Sequence, residues 1–294
     1  MTNRFYMVDV FAEHAYAGNQ LAVVVCDTPL ADDTLQLIAA DMNFSETTFV
    51  EPDAEADGGY RVRIFTPARE IDFAGHPILG TAWVIRRYLA DTLAAQIQLN
   101  LAKARIGVRF ETDADGEEIV WFRAPPMTLG KTAPADAVAA ALGLSPDDID
   151  TTTPVQVVSA GTAAVMVPLR SQAALRRSRL HLDRYATLAA DGFPPLLYQY
   201  TRETNSPAND LCVRFFFEAH GVREDPATGN GAAFLGAYLL AHAVPPGDML
   251  TLRIEQGHAL RRPSLIRLRA QRRDDEQDVQ VGGRVVPIVQ GALL

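Results

Sequence analysis

Two short turns stand out for the chemistry they could hold. Gly75-His76-Pro77, in FAGHPILGTAWVI, and Gly229-Asn230, in EDPATGNGAAFLGAYLL, each open an unusually apolar run. The first turn of a helix carries unpaired N–H groups and about half a positive charge. Two such starts aimed into one cleft would hold a carboxylate or steady a developing oxyanion. Each turn also reads as a plain helix start, because Pro77 suits a first turn, where a missing N–H costs nothing. Gly75 adds a place where backbone can approach a ligand closely.

Such a site needs a base. NFSETTFV puts Ser45-Glu46-Thr47 before an apolar strand, with Glu46 the sole acid in that neighbourhood. A carboxyl at the end of a buried strand loses solvation, which raises its pKa and suits it to take and return a proton. The plainer reading is an exposed turn glutamate. Asp225, in REDPATG, is a second candidate, and also a natural turn or capping residue. His76 reads as a ligand-facing group or as a neutral capping histidine. Asn19, in AGNQ, reads as a polar site residue or as a turn asparagine tolerating left-handed backbone.

These residues must be positioned by the elements around them. RFYMVDVF (4–11), LAVVVC (21–26), TTFVEP (47–52) and YRVRIFTP (60–67) alternate or run apolar and predict strands. DDTLQLIAADM (32–42) predicts an amphipathic helix and HPILGTAWVIRRYL (76–89) a buried one, with Arg86 and Arg87 near its C-terminus. IQLNLA, RIGVRFE and EIVWFRA continue the sheet. APPMTLGKTAP (124–134), rich in Pro and Gly, reads as a crossing. Then the order restarts: a short helix ADAVAAALGL, strands VQVVSAG and AAVMVPL, helix LDRYATLAADG, strands LLYQYT and LCVRFFFE, and the helix GNGAAFLGAYLLAH. TLRIEQG, SLIRLRA, DVQVGG and RVVPIVQG close the chain, and VGGRVV carries a Gly-Gly hairpin signal.

The chain is therefore doubled. VRIFTPAREIDFAGHPILGTAWVI meets VRFFFEAHGVREDPATGNGAAFLGAYLL: strand, loop, glycine turn, apolar helix. A helix with no polar stripe must be enclosed. A mixed sheet wrapped around one central helix, made twice, satisfies that. The expected fold class is α+β, with two pseudo-symmetric lobes and a site in the cleft between them, where ligands tend to bind. The expected lobes are 1–124, joined by the terminal strand 284–294, and 125–283.

The totals narrow the function. Across 294 residues, 27 Lys and Arg face 36 Asp and Glu, for a net charge of −9, which argues against nucleic acid as a partner. RRPSLIRLRAQRR (261–273) is locally basic, but its core alternates apolar and basic as a strand with one wet face would. Cys26 and Cys212 lie in no CxxC or Cys/His cluster, so no metal site is expected. The longest near-apolar run, 231–244, falls short of the ~20 residues that span a bilayer. MTNRFYMVDVF lacks a signal-peptide pattern. Without a disulfide framework, a reducing cytoplasm and no membrane partner are the expectation.

Taken together, FAEHAYAGNQLAVV, NFSETTFV, RIFTPAREIDFAGHPILGTA, EDPATGNGAAFLGAYL and IEQGHALRRPSLI resemble the phenazine-biosynthesis PhzF-like family. That family shares its architecture with diaminopimelate epimerase and proline racemase. The resemblance spans residues 11–267. It implies a cofactor-independent proton shift on a small carboxylate-bearing substrate, and usually a homodimer. Glu46 matches the family's catalytic glutamate, and His76 and Asp225 match its other polar active-site residues. Gly75 and Gly229 match the glycines opening the two helices, with Asn19, Ser45 and Asn230 beside the substrate. The founding activity is isomerisation of trans-2,3-dihydro-3-hydroxyanthranilate.

Two departures bear on the substrate. The family often has serine at the position of Asn230, and glycine where Arg261 precedes Arg262-Pro263-Ser264. The epimerase and racemase cousins use two cysteines as paired acid and base. The matching positions here are Ala74 and Thr228, so a two-cysteine racemase is excluded by chemistry. Two other functions use the same fold: a small-molecule binding or interaction protein without turnover, and a lyase or dehydratase that expels a leaving group with the same base.

Overall fold

Alternation in RFYMVDV builds β1 (Arg4–Val10), which buries Tyr6, Val8 and Val10. The structure, a computed structural model, describes residues 2–217, 222–245, 247–273 and 276–294. Glu218, at the end of one expected strand, lies outside the described residues. The chain divides into two compact units, Met1–Arg123 with Gly282–Leu294, and Ala124–Val281.

In the first unit β1 pairs antiparallel with β2 (Asn19–Val25). Helix α1 (Asp32–Met42) follows, then β3 (Glu46–Val50), which runs parallel to β2. β4 (Tyr60–Phe65) and the two-residue β5 (Glu70–Ile71) lead to α2 (Gly75–Tyr88). β6 (Gln96–Asn100) pairs parallel with β4, and β7 (Arg105–Thr112) and β8 (Glu118–Arg123) complete an antiparallel meander.

Helix α2 is buried from Gly75 through Ala82 and again at Val84 and Ile85. β1, β2, β3, β6 and β8 pack around it. The approach is close at Gly80, where a Cβ would sit 2.6 Å from the Leu21 side chain. On the outer face of the sheet, Leu35 and Ala39 of α1 pack with Val24, Phe49 and Phe65. The amphipathic period of α1 thus faces a sheet, whereas α2 is enclosed by one.

The second unit repeats the plan. β9 (Thr128–Thr132) pairs antiparallel with β10 (Gln156–Ala160), and α3 (Ala135–Ala141) lies between them in sequence. β11 (Thr162–Pro168) follows β10, and α4 (Gln172–Arg177) and α5 (Leu182–Ala190) precede β12 (Leu197–Thr201), which is parallel to β11. β13 (Leu211–Phe217) and β14 (Val222–Asp225) form antiparallel pairs, leading into α6 (Gly229–Ala241). β15 (Met249–Gln256) is parallel to β13 and antiparallel to β16 (Ser264–Arg273).

Nearly every residue of α6 from Gly229 to Leu240 is buried. It packs on β10, β11, β15 and β16. Gly231 makes room for a ring: a Cβ there would meet Tyr198 at 2.3 Å. The other face of the sheet carries α3, α4 and α5 on Val157, Val165, Leu197, Cys212 and Phe216. After β17 (Glu276–Gly283), β18 (Val285–Ala292) pairs with β1 in the first unit.

Two elements are additional to those expected, and one expectation changes. The Pro- and Gly-rich 124–134 stretch contains β9, because pairing with β10 overrides its weak strand propensity. SQAALRR forms α4, capped by the Ser171 hydroxyl accepting from the Ala174 N–H. Gly282-Gly283 does not make a two-residue hairpin, since only Arg284 separates β17 from β18. Those glycines instead admit rings: added Cβ atoms would lie 2.5 Å from Trp121 and from Phe11. Among the described residues no helix is long and apolar enough to cross a membrane, and no three His, Cys, Asp or Glu side chains gather as metal ligands would.

Candidate active site

In the first unit three elements deliver their ends to one place. β2 starts at Asn19, β3 starts at Glu46 and α2 starts at Gly75-His76. Leu21 stands opposite Glu46 in the parallel β2–β3 pair, so Asn19 and Glu46 emerge at the same edge. The fully buried hydroxyls of Thr48 and Thr81 hydrogen-bond at 2.7 Å and fix α2 against β3 just beyond Glu46.

The imidazole of His76 links the other two side chains. Its Nδ1 lies 3.2 Å from Asn19 Nδ2, and its Nε2 lies 3.5 Å from Glu46 Oε2. Asn19 and His76 are buried, and the Glu46 side chain is 14% exposed. Burial pushes the His76 pKa down to about 3, against a smaller opposing effect of a hydrogen bond to the Gln20 main chain. The imidazole is therefore neutral at physiological pH, and it faces Glu46 as an uncharged neighbour rather than as a counter-ion. Ser45 is half-buried in the turn leading into β3, and Gly75 is the buried first residue of α2.

The second unit carries its own polar cluster. Asp225 ends β14 and is buried. The Thr228 hydroxyl donates to Asp225 Oδ2 and does not cap α6. Gln256, fully buried at the end of β15, clamps the turn from below. Its Nε2 donates to the Asp225 carbonyl at 2.8 Å and to Thr228 Oγ1 at 3.1 Å, while its Oε1 accepts from the Thr228 N–H at 3.1 Å. Because Thr228 Oγ1 receives that hydrogen bond, its own proton is directed at Asp225. Gly229 opens α6 and Asn230 beside it is half-buried.

Neither N-cap side chain accepts from its helix: Ala74 has no acceptor, and Thr228 is turned to Asp225. The first-turn N–H groups of α2 and α6 thus have no help from the residue that usually supplies it. Ala74 and Thr228 are also the positions that the resemblance matches to the two cysteines of the epimerase and racemase cousins. The chain's actual thiols stand apart, and burial holds both Cys26 and Cys212 protonated, with pKa values raised to about 11.

Two contributors were not singled out in the sequence. Gln256 sits inside IEQGHALRRPS, where only the following Gly257 signals a turn. Tyr198 lies in the apolar strand LLYQYT, yet its hydroxyl is fully buried, and burial followed by the Asp225 charge raises its pKa. The loop after Gln256 explains one departure. Gly257 (φ 79°) comes so close to Pro226 that a Cβ would lie 2.5 Å from its carbonyl oxygen, and the Ser264 hydroxyl donates to the same oxygen at 3.0 Å. Arg261 adopts left-handed backbone (φ 57°), the conformation that glycine takes freely.

Known proteins similar to this chain match nearly its whole length. The family model described as phenazine biosynthesis-like protein matches residues 8–291. An uncharacterized isomerase from Pasteurella multocida is 33% identical, over 98% of this chain and 93% of its own length. A trans-2,3-dihydro-3-hydroxyanthranilate isomerase from Pseudomonas aeruginosa is also 33% identical, over 98% of both chains. The crystal structure of a phenazine biosynthesis protein of the PhzF family from Bacillus anthracis superimposes with a TM-score of 0.90 over 100% of both chains, at 22% identity, a likeness of fold.

Proposed function

The chain belongs to the phenazine biosynthesis-like family, and from that premise we propose that it is a cofactor-independent isomerase using Glu46 to move a proton on a small carboxylate-bearing substrate. Trans-2,3-dihydro-3-hydroxyanthranilate, named for the Pseudomonas aeruginosa relative, is the first compound to try. The Glu46 carboxylate removes an allylic proton, the electron pair shifts along the adjacent double bond, and the new carboxylic acid returns the proton to another carbon. No leaving group departs, so the mass is unchanged.

The observation that carries this reading is the pairing of Glu46 with a neutral His76 held by Asn19. His76 adds no fixed charge beside Glu46, so the carboxylate keeps its capacity to accept a proton. In this reading His76 hydrogen-bonds the substrate, and His76 and Asp225, the latter with its hydroxyl partner, are the other catalytic residues, as the resemblance implies. The first-turn N–H groups opened by Gly75 and Gly229, with Asn19, Ser45 and Asn230 nearby, hold the substrate carboxylate. The reading includes a cytoplasmic homodimer, as the resemblance implies.

The test is turnover in heavy water. Wild-type protein and Glu46→Gln are incubated with trans-2,3-dihydro-3-hydroxyanthranilate, and deuterium uptake and product are read by NMR and mass spectrometry. Isomerised, deuterated product from the wild type alone supports the assignment. Full activity in Glu46→Gln overturns it. A product lighter by one water would point to the lyase, and binding without exchange to the non-catalytic binder.

A further inference from the structure

The strands β12 to β14 have two faces with different contents. Tyr198, Phe215 and Asp225 share the face turned to α6: the rings of Tyr198 and Phe215 meet edge-on at 5.1 Å, and Phe215 is the register partner of Asp225. Alternation puts Gln199, Cys212, Arg214 and Glu224 on the opposite face, under α4. On that side the second unit contains a cavity of about 640 Å³, lined in part by Arg176, Arg179, Asn205, Cys212, Arg214 and His258.

The lining is unevenly charged. Arg214 is committed to Glu224 in a two-pronged pair at 2.9 and 2.7 Å. Arg176 donates to Asn205 Oδ1 at 2.7 Å, and Arg179 to the main-chain carbonyls of Arg176 and Ser178. Among the described residues neither Arg176 nor Arg179 pairs with a carboxylate. A guanidinium has five N–H donors in a planar fork, so each keeps donors to spare. Glu224 in the lining is taken by Arg214, and Glu255 is occupied by the Asn205 and Ser206 N–H groups and the Asn205 and Asn209 amides. Beneath the cavity floor, Gln199, opposite Arg214 across β12–β13 and not itself among the lining residues, has a fully buried amide whose Oε1 and Nε2 have no hydrogen-bond partner among the described residues. Buried amides are rarely left so. Leu175 and Ala259 supply apolar wall.

We propose that this cavity is a binding site for a small organic oxyanion, a phosphate monoester or a carboxylate, with its charged head on Arg176 and Arg179 and its apolar body against Leu175 and Ala259. Its volume is in the range of small-molecule sites. Planar, multidentate recognition of such heads is what arginine does best. The Cys212 thiol, kept protonated by burial, lies in the wall as a reporter and not as a nucleophile. The cavity's lining residues all belong to the second unit, whereas Glu46 and His76 belong to the first, and it lies on the sheet face opposite Asp225.

Titration calorimetry with phenyl phosphate and with benzoate, at fixed ionic strength, tests it. These probes share a ring and differ in head group. At least one is expected to bind wild-type protein and Glu46→Gln with equal affinity. The Arg176→Gln/Arg179→Gln double variant is expected to bind about tenfold or more weakly, with its melting temperature unchanged. In a Cys26→Ser background, the bound probe is expected to slow alkylation of Cys212. The preferred head group identifies phosphate or carboxylate as the natural ligand. Three results each overturn the proposal: no binding of either probe in the millimolar range, equal affinity in the double-arginine variant, or loss of binding in Glu46→Gln.

Discussion

Nε2 of the buried His76 sits 3.5 Å from Oε2 of Glu46, and burial keeps that imidazole neutral. What resembles an ion pair by distance is a neutral base beside a carboxyl. The distinction has a measurable consequence.

A histidine whose folded pKa is about 3 against an ordinary 6.5 binds its proton more weakly when folded than when unfolded. The stability this involves is present in full above pH 6.5 and is lost as pH falls from there toward 3. The contribution is about 1.4 kcal/mol per pH unit within that window. Denaturant titrations between pH 7 and 4 should show a steeper loss for wild type than for His76→Asn. In two-dimensional NMR the His76 ring signals should stay flat down to pH 5. A midpoint near 6.5 would contradict the neutral assignment.

Gln256 is expected to act as a positioning residue for Asp225. Gln256→Leu removes both amide donors and the acceptor for the Thr228 N–H, stranding buried polar groups at a cost of a few kcal/mol. Gln256→Glu keeps the acceptor and frees the Thr228 hydroxyl from its donor. Steady-state kinetics should show kcat falling in Gln256→Glu together with a lowered melting temperature, because a buried carboxyl then faces the Asp225 carbonyl, and Thr228→Ser should stay near wild type. Unchanged kcat in Gln256→Glu would leave the clamp a purely structural device.

Arg261 supplies the third prediction. A non-glycine residue in left-handed backbone is strained by about 1–2 kcal/mol, and glycine removes that strain while giving back part of it as unfolded-chain entropy. Arg261→Gly should therefore be neutral or stabilising by up to ~1 kcal/mol, read as a raised denaturation midpoint with unchanged slope. Clear destabilisation would mean that the arginine side chain itself holds the loop.

Much of this architecture was legible in the chain. The apolar period of DDTLQLIAADM marked α1 at its observed bounds, and the near-continuous burial demanded by GNGAAFLGAYLLA announced an enclosed helix. Both follow from local pattern, because a helix repeats its face every few residues and must hide whatever is apolar. β9 was not legible, since TLGKT becomes a strand only when β10 supplies its hydrogen-bond partners. The Gly282-Gly283 pair misled for a related reason: its space is claimed by rings from distant segments, Trp121 and Phe11.

The sequence by itself determined the residue types, their order and the two helix starts that Gly75 and Gly229 open. Only the tertiary structure decided their chemical state. His76 is neutral because α2 is enclosed by strands and buries its first turn, and Thr228 points at Asp225 because Gln256 arrives from a strand 28 residues away to donate to it. Protonation and hydrogen-bond direction depend on desolvation and on partners remote in sequence, and no local pattern encodes either.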